Sequence, residues 1–280
     1  MRRPVRAAGK PVGQVREVPR EPRAGGARGP AEDFPPATTA RAPNAHRTHP
    51  GSIALARIVS LPRRRDGGRH INIGCSGSGK SYLARHLLDE LGARCKWIFT
   101  LDDKDARETK YAGAQYATVA DFEAHPPEKD ERGRRERRIV FRGDKYAGVE
   151  CPAEDVAQLA RKFVQAGVPV CLHYDELKRA ADGKSGMHWT APTVKWYLTE
   201  ARSLGGWFIG SSQSGKMFPE EALNEAGTTS VFRQKRKAAR YLVDVLDLDD
   251  ELATLIPTLS EGEFVLLVDE EDWDGRIYKL

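Results

Sequence analysis

No run of apolar residues in this sequence approaches the about 18 that a membrane-spanning helix needs, and the first residues lack the apolar stretch of a secretory signal. Neither membrane insertion nor Sec export is expected. Cysteine is sparse: Cys75, Cys95, Cys151 and Cys171 stand far apart with no C-x-x-C pair, and the seven histidines form no cluster. That spacing argues against a disulfide framework and a zinc ribbon, and it fits a reducing cytoplasm. Acidic residues are scarce in the first fifty positions, where ten basic side chains face four acidic ones, a balance of +6 against a total of +5. Residues 51–280 therefore come to −1, and the basic character belongs to the tail rather than to the body. Aromatic residues are missing there too: Phe34 is the one example, beside nine of the seventeen prolines. Such a stretch cannot bury enough surface to order itself, so residues 1–52 are expected to be a disordered Arg/Pro/Gly/Ala-rich tail. It reads either as a basic arm on the phosphates of a polyanion such as DNA, or as a solvated linker or translated upstream sequence.

From Ile53 the pattern changes to short apolar runs alternating with helical periodicity. HINI (70–73), KWIFTL (96–101), RRIVF (137–141), VPVCLHY (168–174), WFIGSS (207–212) and TSVF (229–232) read as strands, with a closing pair at 263–268 and 275–280. Helices are expected over 81–91, over 153–167 with Gly167 as its stop, over 194–204, near PEEALNEA, and through RKAARYLVDVL. The charged stretch 123–138 reads as an exposed loop. Strands and helices alternating in this way specify an α/β fold, a mostly parallel sheet with helices on both faces, and one domain over 53–280.

The residues that carry chemistry start at GCSGSGKS (74–81). Gly74, Gly77 and Gly79 let the backbone approach phosphate oxygens, Cys75, Ser76 and Ser78 add little bulk, Lys80 would reach the β and γ phosphates of ATP, and Ser81 would hold Mg²⁺. A strand enters this loop and a helix leaves it, as a phosphate cradle requires. A second demand is met by VPVCLHYDE, which brings Asp175 and Glu176 to the carboxyl end of a buried strand: Asp175 to hold Mg²⁺ through water, Glu176 to polarise an attacking water. A near-copy of the loop, GSSQSGKM (210–217), ends in Met217, which cannot ligate Mg²⁺, and Pro219 disfavours a helix starting at its Gly-Lys. This stretch is expected to deliver Gln213 rather than to bind a second nucleotide.

The order of these motifs resembles the FtsK/HerA superfamily of DNA-pumping ATPases, within the ASCE group of P-loop NTPases with a RecA-like core. GCSGSGKS, IFTLDDKDARE, CLHYDEL and TEARSLGGWFIGSSQ carry the resemblance, over about residues 66–280. It implies that Gln213 contacts the γ phosphate or the attacking water, and that Arg202 supplies an arginine finger to a neighbouring subunit in a homo-oligomeric ring. It also implies that Arg233, Lys235, Arg236, Lys237 and Arg240 face double-stranded DNA or a neighbouring subunit, unless they are only a solvated face. The turn after IFTL lacks the family's glycine, and neither a winged-helix domain nor a membrane anchor is legible. A core this small is most similar to the genome-packaging ATPases of tailless icosahedral viruses with an internal membrane, which implies capsid or portal-vertex partners and a place in the host cytoplasm or at the virion vertex.

Other activities compete. Other FtsK/HerA-type ATPases act in DNA repair or transfer or in filamentous-phage assembly. A P-loop kinase would need a substrate lid and would leave Asp175-Glu176 with a Gln-tipped strand unexplained. A nucleotide-gated adaptor would have no need of the base Glu176.

Overall fold

The computed structural model describes residues 48–60, 67–102, 109–143, 151–177, 191–217, 219–268, 273 and 276–280. The chain divides into two units, Met1–Asn44 and Ala45–Leu280, and the first lies outside the described residues. So does the rest of the expected tail up to residue 47, as does the acidic turn at 103–108.

Ten strands form one sheet in the order β1-β10-β9-β8-β2-β7-β6-β3-β5-β4. They are β1 (Thr48–Pro50), β2 (Arg69–Ile73), β3 (Trp97–Leu101), β4 (Ala114–Tyr116), β5 (Arg138–Phe141), β6 (Val170–Tyr174), β7 (Trp207–Ser212), β8 (Thr228–Phe232), β9 (Glu263–Val268) and β10 (Ile277–Lys279). Pairing is parallel except where β9 runs against β8 and β10. Alternate residues of each strand feed two cores. Ile71, Phe99, Leu172, Phe208 and Val265 face one side, under helices α4 (Ala153–Gln165), α5 (Pro192–Thr199) and α7 (Arg236–Val245). Ile98, Cys171, Ile209, Phe264 and Tyr278 face the other, under α1 (Gly51–Ser60) and α2 (Lys80–Leu91). This two-sided burial is why the central strands read as unbroken apolar runs.

Three expectations need correction. Structure begins before residue 53: β1 pairs in parallel with β10, Thr48 opposite Ile277, and α1 starts at Gly51. Three residues of edge strand leave no mark in composition, because the partner that orders them lies at the far end of the chain. The helix expected over 194–204 stops at Thr199; Glu200 (φ −120°, ψ −30°) breaks it, and Ala201–Leu204 continue as a 3-10 turn. The stretch 123–138 is exposed as expected, but α3 (Val119–Ala124) runs into it from a capping box in which Thr118 and Asp121 bond reciprocally, and an isolated bridge joins Lys129 to Arg135.

Register decides what the sheet can build. Ile73 stands opposite Ser212 and Val231, and Tyr174 opposite Gly210 and Leu101. The carboxyl ends of β8, β2, β7 and β6 therefore finish side by side, and Arg233, Gly74, Gln213 and Asp175 are the residues that follow them.

Candidate active site

The phosphate loop spans the step from β2 to α2. Gly74 N donates to Ser212 O (3.1 Å) and Cys75 N to Arg233 O (3.0 Å), so the loop is tied to the two flanking strands as it leaves the sheet. Gly262 N donates to Ser78 O (3.0 Å), a brace from the turn before β9. Gly79 has φ 112°, a conformation open to glycine and strained for other residues, and a Cβ there would come within 3.1 Å of Leu280 Cδ1. Beyond Gly79 the helix α2 begins, with Leu83, Leu87 and Leu91 in the core. Its N-terminus turns amide groups and the positive end of its dipole to the loop. Lys80 Nζ donates to the carbonyls of Gly74 (2.5 Å) and Cys75 (3.0 Å), which holds the ammonium over the loop.

Asp175 and Glu176 follow β6 and are 2% and 9% exposed. Ser81 Oγ donates to Asp175 Oδ1 (3.1 Å) across 94 residues of sequence, joining the end of the phosphate loop to the end of β6. Gln213 Nε2 donates to Glu176 Oε2 (3.3 Å), and Gln234 Nε2 donates to Gln213 O (3.2 Å). Two acids, an amide, an ammonium and a helix N-terminus thus converge on one edge of the sheet. A hydroxyl and a carboxylate in hydrogen-bond contact are hard oxygen donors, the set that Mg²⁺ takes together with water and phosphate oxygens. The cradle therefore suits a triphosphate with its divalent ion.

Two residues at this edge escaped the reading of the sequence. Tyr111, 5% exposed, donates its phenol to Asp175 Oδ1 (2.5 Å) and sets its ring edge-on to His173 (centroids 4.9 Å). Burial and, next, the Asp175 charge raise the phenol's pKa above its ordinary value, so it stays a donor. Gln234, 4% exposed, holds the backbone of Gln213 from the end of β8. No local pattern marks either.

The other expected residues are spread. Arg202 lies in the turn before β7, at the opposite edge of the sheet; a strand of six residues between it and Gln213 amounts to roughly 20 Å. Its carbonyl accepts from Gly67 N (2.8 Å), and its side chain is exposed. Of the basic group, Arg233 adjoins the phosphate loop through the bond of its carbonyl to Cys75. Lys235 caps α7, Arg236 and Lys237 are exposed on its first turn, and Arg240 pairs with Asp244 (2.8 Å) and Asp250 (2.9 Å). Gly215–Met217 of the near-copy form a 3-10 turn, and Pro219 caps α6 (Glu220–Asn224). Among the described residues no helix is long and apolar enough to cross a membrane.

Comparison with solved structures finds a similar fold in proteins of low sequence identity. The genome-packaging NTPase B204 of Sulfolobus turreted icosahedral virus 2, in complex with sulfate, matches with a TM-score of 0.59 at 17% identity, covering 76% of this chain and 96% of that one. Its complex with ATP-gammaS gives 0.56 at 17% identity, over 77% and 96%. VirB4 of Thermoanaerobacter pseudethanolicus gives 0.50 at 12% identity, over 75% and 89%. No protein-family model and no curated sequence matches the chain.

Proposed function

We propose that this protein is an ATP-hydrolysing motor that moves double-stranded DNA, working as an oligomeric ring to package a viral genome. The observation that carries the reading is the pairing of two bonds at one sheet edge, Ser81 to Asp175 and Gln213 to Glu176. The first joins the phosphate loop to an acid suited to a divalent ion; the second pairs a carboxylate with an amide at the same sheet edge, which suits work on a water that attacks the γ phosphate. Glu176 takes the part of the group that polarises this water, and Gln213 orients it. Lys80 and the amides of the loop and of the first turn of α2 neutralise the phosphates. Mg²⁺, held by Ser81 and Asp175, would supply further neutralisation of the β and γ oxygens.

The likeness in fold to B204 over nearly that protein's whole length supports the step from hydrolysis to packaging. Arg202, exposed at the edge of the sheet opposite its own loop, suits a finger offered to a neighbouring subunit, where it would stabilise charge developing in the transition state. Arg233, Lys235, Arg236 and Lys237, at the end of β8 and the start of α7, suit contact with DNA phosphates or an adjacent subunit. Arg240 does so less well, since it is held by two carboxylates.

The test is ATP turnover with and without duplex DNA, in the wild type and in Glu176→Gln. The expected outcome is DNA-stimulated hydrolysis that Glu176→Gln lowers by on the order of 10²–10⁴-fold while ATP binding persists. Phosphate transfer to a small acceptor, with no response to DNA, would overturn the motor reading.

A further inference from the structure

We infer that Tyr111 is a positioning residue for the metal-holding pair Ser81 and Asp175, an inference that rests on the nucleotide-hydrolysing reading above. Tyr111 comes from the segment between β3 and β4, remote in sequence from both partners, and its phenol reaches the same Asp175 oxygen that Ser81 uses, at 2.5 Å against 3.1 Å. Three side chains from three separate segments therefore meet around one carboxylate oxygen.

The arrangement constrains each member. A carboxylate oxygen that accepts from two donors of fixed origin cannot rotate about its Cβ–Cγ bond without losing both. The ring of Tyr111 cannot swing away either, because it is buried and set edge-on to His173, two residues before Asp175 on β6. A carboxylate held in one orientation beside the Ser81 hydroxyl loses less freedom when a divalent ion is bound, which favours binding. The phenol approaches the reacting phosphates through no bond of its own; its action passes through Asp175 and Ser81. Its contribution belongs to the affinity for the metal and not to that for the bare nucleotide.

Tyr111→Phe removes the hydroxyl and keeps the ring against His173. A fluorescent ATP analogue is titrated into the wild type and the variant in the presence of EDTA, and then the analogue complexes are titrated with Mg²⁺ and, by electron paramagnetic resonance, with Mn²⁺. The expected result is unchanged affinity for the metal-free analogue and about a 10-fold rise in the metal concentration for half-saturation. Unchanged or tighter metal binding would overturn the inference. So would a loss of metal-free analogue binding in step with metal binding, since the phenol would then support the loop as a whole. If the wild type itself binds the analogue with no dependence on metal, the hydrolytic reading fails and this inference falls with it, a result distinct from a variant that merely equals a metal-dependent wild type.

Discussion

GCSGSGKS (74–81) and GSSQSGKM (210–217) share a first glycine and a Gly-Lys pair at matching offsets, yet they fold as unlike objects. In the first, β2 stops at Ile73, so the whole stretch up to Lys80 is loop, and a twelve-residue helix opens at the lysine. In the second, β7 runs on through Ser212, three letters of the motif are spent as strand, and what remains closes into a 3-10 turn. Lys80 is 9% exposed and folded over its own loop, whereas Lys216 is exposed, its ammonium 5.0 Å from the ring centre of Tyr241. The letters of a phosphate loop act only where a strand ends early enough to leave them as loop and a helix begins late enough to receive them.

Lysine substitution breaks the comparison most sharply. Lys80→Ala is expected to lower ATP turnover by on the order of 10²–10³-fold. Lys216→Ala is expected to leave nucleotide affinity unchanged and to cost about 0.5–1 kcal/mol of stability for the lost ammonium–ring contact. Parallel turnover, binding and denaturant measurements on the two variants check this, and equal losses of turnover would mean that the second stretch also handles phosphate.

A second, smaller effect tests the strands that carry the two stretches. His70 and Asn72 lie on β2 and Ser211 on β7; His70 Nε2 pairs with Asn72 Oδ1 (2.9 Å), His70 Nδ1 with Thr228 Oγ1 (2.7 Å), and Asn72 Nδ2 donates to Ser211 Oγ (3.5 Å). Burial pushes the His70 imidazole down from 6.5 to about 4, against a smaller opposing effect of the Asn72 bond. The unfolded chain then holds one more proton than the folded one between these two values, so stability falls as pH drops through that window. The loss is about 3 kcal/mol at pH 4 relative to pH 7. Denaturation midpoints followed against pH in the wild type and in His70→Gln would show it as a slope that the variant lacks.

Glycine substitution sharpens the comparison further. Gly215→Ala would put a methyl 2.1 Å from Leu242 Cδ2 in the core, and Gly79→Ala would force φ 112° on a residue with a side chain. Each is expected to cost about 1–3 kcal/mol, by overpacking in one case and backbone strain in the other. Gly79→Ala should also weaken ATP binding, and Gly215→Ala should not; calorimetric titration well below the melting temperature separates them.

Much of this architecture was legible because parallel strands buried on both faces leave continuous apolar runs, and helices such as α4 leave a 3.6-residue stripe ending at Gly167. The meeting of GCSGSGKS, Asp175-Glu176 and Gln213 at one sheet edge was legible for a related reason: each follows directly from an identifiable strand, and the register of a parallel sheet then brings strand ends together. What escaped notice depends on partners distant in sequence. Thr48–Pro50 is a strand only because Ile277–Lys279 lies beside it, and Tyr111 matters only because the chain returns to place it on Asp175. The short α8 (Asp250–Leu255) did carry a local signal that was passed over: its cap, Asp249, accepts from Glu251 N (2.9 Å). The break at Glu200 carried none, since TEARSL is a good helical sequence until Gly205 has to turn the chain into β7.

The bond from Gly262 to Ser78 has a consequence in time. On a ribosome the phosphate loop emerges early, and the residue that braces it follows about 10–40 s later at ordinary rates of synthesis. Contacts so far apart in sequence are also slow to close once both partners exist. During that interval β2 and α2 can form while the loop between them stays unsupported on the side where β8 and β9 will lie. In a growing chain the loop therefore lacks this brace until the turn before β9 has folded back.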